Sequence, residues 1–339
     1  MVYRLILAIR HLFYDKGWKK SFKAEVPSIC ICNITVGGTG KTTFTEWVLR
    51  CLLKSDEWAY SNIAVHSRGY KRKKKGFQIV PREGSAADYG DEPLQLARKF
   101  PSVTVAVDKS RVEGCRQLVA GAANIIVLDD AFQYRKLKAD VNVVLVDYNR
   151  PVYKDKLMPW GRLRDLPSRM RKAGAVVVTK CPASLDDWGR QEWRRHLQLR
   201  EGQQLFFSTI TYGLPEPVFD EADPRYTYSQ RLVLVTAIAN DAPLRSYLSD
   251  SYKIVKRLAF RDHHRFTKGD MRALLAAIRE NPTACLMTTE KDARRFQDVK
   301  EVPEQIRKRL FYVPIQTSFF TPEEDAAFTA FLLSKVRQA

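Results

Sequence analysis

The sequence predicts an α/β fold: a mostly parallel sheet flanked by helices, with a second, smaller α/β domain after it. Three observations predict it. Short runs of β-branched and apolar residues alternate with segments of helical period. Those runs are apolar nearly throughout, as in strands covered on both faces. The first of them leads directly into a glycine-rich turn that opens a helix. Length and composition agree: 339 residues exceed one typical domain, and 45% hydrophobic with 28% charged residues is a globular composition.

The chain opens with an amphipathic segment. On a helical wheel Val2, Leu5, Ile6, Ile9, Leu12 and Phe13 share one arc and Arg4, His11 and Asp15 the other, with Trp18, Lys19, Lys20 and Lys23 following. Residues 1–22 therefore read as a helix that either docks on the core or lies in a lipid headgroup layer. No run reaches the roughly 18 apolar residues of a transmembrane helix, and Arg10 interrupts the one that starts here, so the body is expected in the cytosol.

Strands are predicted at Ser28–Ile34, Asn62–Ser67, Phe77–Val80, Val103–Val107, Asn124–Leu128, Asn142–Val146 and Ala175–Thr179. Helices are predicted at Thr42–Leu53, Glu92–Phe100 and Ser110–Ala120. Pro215, Pro217 and Pro224 break the pattern, and a second series begins with Leu232–Ile238, Tyr252–Leu258, Ala284–Met287 and Phe311–Pro314. One domain is thus expected over residues 23–222 and a smaller one over 223–339.

Lys and Arg total 57 against 38 Asp and Glu, a formal charge of +19, which favours polyanions without choosing among nucleic acid, nucleotide phosphates, anionic lipid or a phosphorylated substrate. No RNA-binding aromatic signature, helix-turn-helix or zinc pattern accompanies the charge, so nucleic acid is not the expected partner. The six cysteines are scattered without a C-x-x-C pair and are expected to be reduced core thiols.

The strongest local signal is Asn33-Ile-Thr-Val-Gly37-Gly38-Thr39-Gly40-Lys41-Thr42, between a predicted strand and a predicted helix. Backbone N–H groups of such a turn close around phosphate oxygens, Lys41 reaches the β- and γ-phosphates, and the Thr42 hydroxyl can ligate Mg²⁺. Thr35 stands where the strict P-loop pattern wants glycine, but Gly37, Gly38 and Gly40 supply permissive backbone. The apolar run ending in Asp129-Asp130 supplies the carboxylates for the metal side, with Asp147 as the second choice. Two further constellations stand out: Tyr89-Gly90-Asp91-Glu92-Pro93, where Asp91 also suits a helix N-cap, and Arg261-Asp262-His263-His264-Arg265-Phe266.

With these on the page the chain resembles the tetraacyldisaccharide 4′-kinases. The resemblance rests on Asn33–Thr42, Ser67-Arg68-Gly69-Tyr70, Gly90–Pro93, Asp129-Asp130 with Gln133, Arg162-Leu-Arg164-Asp165, Thr236–Asn240, Phe260–Phe266 and Thr288–Asp292, in the family's order. It implies an ATP- and Mg²⁺-dependent kinase acting on the 4′-hydroxyl of a lipid-linked disaccharide 1-phosphate, at the cytoplasmic face of the inner membrane of a Gram-negative bacterium. Residues 1–22 would then be a membrane-associating helix, in peripheral contact with an anionic surface, and no obligate protein partner is expected.

Carried over by position, Gly37, Gly38, Thr39, Gly40, Lys41, Thr42 and Thr43 would hold ATP, bordered by Arg164 and Asp165. Thr42, Asp129 and Asp130 would hold the metal. Asp91 would be the general base, with His263 its partner from the second domain and Lys41 the catalytic cation. Arg68, Asn33 and His264 would contact substrate. The basic run Lys71–Lys75 reads either as a solvated loop or as a contact for anionic headgroups. Ala131-Phe132 after the acidic pair, and Trp160-Gly-Arg162 before Arg164, depart from the family's usual pattern without touching these assignments.

Two other classes also fit parts of the sequence. A nucleotide switch is suggested by Val177-Val-Thr179-Lys180-Cys181-Pro182, which is similar to a guanine-reading motif but has Pro182 in place of its aspartate. A nucleic-acid-binding ATPase would draw on the charge alone.

Overall fold

The computed structural model describes residues 2–262 and 264–338. The chain forms two compact units, Met1–Thr211 with Gln316–Ala339, and Tyr212–Ile315. The first unit is built on a nine-stranded sheet. From one edge the strands are Ile315–Phe319, Gln204–Tyr212, Ala175–Thr179, Val141–Asp147, Ser28–Cys32, Ile125–Asp129, Ile63–Ser67, Thr104–Val107 and Gln78–Ile79. Pairing is parallel from Gln204–Tyr212 through to Thr104–Val107, and Gln78–Ile79 runs antiparallel to its neighbour.

Full burial explains why these strands read as unbroken apolar runs. Every residue of Ser28–Cys32, Ile63–Ser67, Ile125–Asp129 and Ala175–Thr179 is buried, and separate apolar clusters cover the two faces of the sheet. The strand Ser28–Cys32 lies between Ile125–Asp129 and Val141–Asp147, at the point where successive strands change sides. In open parallel sheets ligands bind beyond the carboxyl ends at that switch point, and the glycine-rich turn starts there.

The domain expectation needs a correction at the C-terminus. Residues 316–339 return to the first unit instead of completing the second. The cause is packing: Phe328, Leu332 and Val336 of the helix Pro322–Arg337 are fully buried in the same cluster as Phe44, Trp47 and Leu49 of the helix Lys41–Lys54. Trp47 Nε1 also donates to Asp325 at 3.1 Å.

The second unit has a five-stranded sheet in the order Glu216–Pro217, Leu310–Val313, Cys285–Thr289, Arg231–Thr236 and Lys253–Ala259. Its last four strands are parallel. Asp292, fully buried, accepts from Ala237 N at 2.8 Å, Thr289 Oγ1 at 2.7 Å and Arg295 Nη1 at 2.7 Å. The Thr236–Asn240 and Thr288–Asp292 motifs are therefore tied together by a structural knot. All six cysteines are free thiols, and burial pushes Cys115, Cys181 and Cys285 up to about 12.

Candidate active site

The glycine-rich turn has a backbone that could cradle a phosphate. Gly37 and Gly40 have φ of 109° and 82°, the left-handed region that side chains resist, and Gly40 caps the helix Lys41–Lys54. Thr39 is fully buried, and its hydroxyl accepts from Asn33 Nδ2 at 2.6 Å while its carbonyl accepts from Thr179 Oγ1 at 2.8 Å. Lys180 Nζ donates to the Gly38 carbonyl and lies 2.9 Å from Asp147 Oδ2. The turn is thus braced from both sides, leaving the helix N-terminus to meet an anion.

The acidic pair closes the other flank. Ser67 Oγ donates to Asp129 Oδ2 at 2.8 Å, and Lys41 Nζ lies 3.9 Å from Asp130 Oδ2. Arg164 donates to Asp130 Oδ1 and, at 2.5 Å, to Asn33 Oδ1. Burial and the neighbouring Asp130 charge raise the Asp129 carboxyl above the ordinary range, outweighing Lys41, Arg111 and Ser67. Asp130 goes the other way: burial would raise it, but Lys41 and Arg164 more than offset that and hold it low. The two adjacent carboxyls are thus pushed in opposite directions, Asp130 towards its ionised form and Asp129 away from it.

Behind the pair sits a residue that the sequence did not flag. Arg111 is buried, donates to the carbonyls of Asp129 at 2.6 Å and Asp130 at 3.3 Å, and meets His66 Nδ1 at 3.0 Å. Burial, together with the Arg111 charge, lowers the His66 pKa well below its ordinary value, so the ring is neutral. A Cβ on Gly114 would lie 1.8 Å from His66 Nε2. Gly114→Ala is therefore expected to destabilise the protein by at least about 2 kcal/mol by displacing His66 from Arg111. A urea melt with an unchanged midpoint would contradict this.

Two motifs far apart in sequence meet at the edge of the site. A Cβ on Gly90, φ 100°, would lie 3.4 Å from Gly69 Cα, so the Ser67-Arg-Gly loop packs on the turn that starts the helix Asp91–Lys99. The cap of that helix is Gly90, and Asp91 is its first helical residue, half-buried, so the capping role that the sequence allowed for Asp91 falls to Gly90. Arg68 is exposed on its loop.

Several of the expected contact residues have partners within the protein. Asn33 is fully buried and staples the turn through Thr39 and Arg164. Asp165 is fully buried and bonded to His11 Nε2 at 2.6 Å. The Thr43 hydroxyl donates to Gly40 O at 3.0 Å and accepts from Thr317 at 3.2 Å, so it steadies the turn. Asp147 is ion-paired with Lys180 and Arg150. In the second unit His264 Nε2 lies 2.9 Å from Asp270 Oδ2 and its ring stacks on Phe260, which commits it to its own unit's packing. His263 lies outside the described residues.

Comparison with known proteins gives a consistent result. A family model described as tetraacyldisaccharide-1-P 4′-kinase matches residues 1–337. The tetraacyldisaccharide 4′-kinase of Phocaeicola vulgatus is 37% identical over 327 residues, covering 94% of this chain and 88% of that protein. That of Porphyromonas gingivalis is 37% identical over 334 residues, covering 95% and 92%. Among solved structures, the "apo" form of LpxK from Aquifex aeolicus in complex with ATP superposes with a TM-score of 0.75 at 25% identity, covering 99% of this chain and 96% of that one.

Proposed function

We infer the function from one premise: the chain belongs to the tetraacyldisaccharide 4′-kinase family. It is an ATP-dependent kinase that transfers a phosphoryl group to the 4′-hydroxyl of tetraacyldisaccharide 1-phosphate in lipid A biosynthesis. The observation that carries this reading is the braced Gly37–Thr42 turn with Lys41 facing the Asp129-Asp130 pair. Phosphoryl transfer asks mainly for positioning and charge neutralisation, which backbone N–H groups, Lys41 and Arg164 supply. The motif at Thr179-Lys180 is spent on bracing the turn, which removes the main support for a guanine-reading switch.

The donor set fits Mg²⁺. Thr42 stands half-buried in the first helical turn, and Asp130 is held ionised beside Asp129. Among the described residues no group of three or more His, Cys, Asp or Glu converges, so phosphate oxygens and water would complete the shell, as Mg²⁺ prefers. Bound there, the ion would neutralise charge on the transferred phosphate. Asp91 is assigned as the base that takes the proton of the sugar hydroxyl.

The helix Val2–Asp15 supports work at a lipid surface. It docks by Leu7 and His11 and leaves Val2, Leu5, Ile6, Ile9 and Leu12 exposed. No helix among the described residues is long and apolar enough to cross a membrane, so this face lies in the interface at most. We place it on the cytoplasmic, anionic surface of the inner membrane. Ile9→Ser is expected to lower partition onto anionic vesicles by about tenfold. Unchanged sedimentation with vesicles would remove the face from that role. The function itself is tested by mass spectrometry of the lipid after incubation with ATP, where a gain of one phosphate is expected and an unaltered lipid would count against it.

A further inference from the structure

We propose that the N-terminal helix Val2–Asp15 also positions the nucleotide site, with His11 acting through Asp165 and Arg164 on Asp130 and the glycine-rich turn. This rests on the reading of that turn as the ATP cradle.

Three layers carry the connection. The turn is stitched to the strip of residues 162–166: Val36 N donates to Arg162 O at 2.8 Å, Arg164 N to Ile34 O at 2.8 Å, and Thr35 Oγ1 to Arg162 O at 3.2 Å. From that strip the Arg164 guanidinium reaches Asn33 and Asp130. The helix grips the strip from its other side, His11 meeting Asp165 Oδ1 at 2.6 Å and Tyr3 OH donating to Arg164 O at 3.0 Å. A parallel path runs through Gln133, whose carbonyl accepts from Arg10 Nη2 at 2.9 Å and whose Nε2 donates to Asn33 O at 2.8 Å.

The chemistry makes His11 the sensitive member. Arg135 Nη1, which can only donate, lies 3.2 Å from His11 Nδ1, so Nε2–H is the donor to Asp165. Both side chains are removed from solvent, His11 at 5% and Asp165 at 0% exposure. Asp165 Oδ1 also accepts from Leu166 N at 2.8 Å, while Oδ2 is buried without a hydrogen-bond partner among the described residues. Without His11 the carboxylate would retain one backbone N–H and the more distant Arg169 charge. A buried carboxylate left so poorly satisfied turns toward any available donor and takes the adjoining Arg164 backbone with it.

An anchor alone needs none of this. The exposed residues Leu5, Ile6, Ile9 and Leu12 serve a lipid surface, whereas Tyr3, Arg10 and His11 serve the strip. The two functions can therefore be separated by substitution.

The test uses the full chain with no lipid present and measures equilibrium binding of a fluorescent ATP analogue with Mg²⁺, beside sedimentation with phosphatidylglycerol vesicles and a thermal melt. His11→Ala is expected to weaken nucleotide binding by about tenfold while keeping vesicle binding. His11→Gln, whose amide can donate to Asp165, is expected to recover most of that loss. Ile9→Ser should show the reverse, weakened vesicle binding with wild-type nucleotide affinity. Should His11→Ala fail to fold, Tyr3→Phe removes one bond to the strip and is expected to weaken nucleotide binding by about threefold. Wild-type nucleotide affinity in the folded variants would overturn the proposal. A wild-type protein that binds no nucleotide would instead overturn the reading of the site on which it rests.

Discussion

Lys41→Ala is expected to reduce phosphate transfer by about a thousandfold and to weaken ATP binding at the same time. The double effect follows from where the ammonium sits. It opens the helix behind a turn whose carbonyls and hydroxyls are committed to Thr179, Lys180 and Asn33, so no other side chain on that helix can replace it. It also lies 3.9 Å from Asp130 and is, with Arg164, what holds that carboxyl low against its burial. Losing Lys41 removes a cation from the phosphates and loosens the ionisation of a metal-side acid in one step. Separate measurement of nucleotide affinity and single-turnover rate checks both halves, and wild-type affinity in the variant would place the phosphates elsewhere.

Asp91→Asn has the second largest expected effect and a different signature. Turnover should fall by about 10²- to 10³-fold, with the KM for ATP held near its wild-type value. The structure separates this from a folding defect, since Gly90 provides the cap and Asp91 is the first residue of its helix. Asparagine there keeps the side chain's size and gives up a favourable helix-dipole contact worth about 0.5 kcal/mol, so the thermal midpoint should move much less than the rate. The packing of Gly90 on Gly69 places Asp91 beside the loop whose Ser67 holds Asp129. A matching fall in ATP affinity, or a variant as active as wild type, would remove Asp91 from the role of base.

How much of this was legible in the sequence depended on whether a feature is local. The central strands were, because burial on both faces leaves an apolar run such as Ile125–Leu128 with no polar alternation to blur it. The glycine-rich turn was, because Gly37 and Gly40 are required by backbone geometry that the sequence states directly. The nine-residue strand Gln204–Tyr212 has residues of high β propensity but no flanking motif to mark it, and the return of the helix Pro322–Arg337 to the first unit is invisible to a linear reading, which assigns a segment to what precedes it.

At the site, the residues of the strong motifs were easier to find than those that hold them in place. Asn33, Thr43 and Asp165 carry polar groups inside strong motifs and so read as ligand contacts, and each also has a hydrogen-bond partner within the protein that the sequence did not disclose. Arg111 and Gly114 of one helix and His66 of a strand form one unit only because the two elements pack together, and none has a local signature. The N-terminal helix was readable as amphipathic, but its docking face was not the apolar arc: His11 and Leu7 dock, and the arc stays exposed.

The central claim is that this chain moves the γ-phosphate of ATP onto the 4′-hydroxyl of its lipid substrate. The most direct measurement incubates the purified protein with [γ-³²P]ATP, Mg²⁺ and tetraacyldisaccharide 1-phosphate in detergent micelles, and follows label in the lipid. Label accumulating at the 4′ position, and absent with Lys41→Ala, is the predicted result. Label appearing only as inorganic phosphate, with the lipid unlabelled, would contradict it.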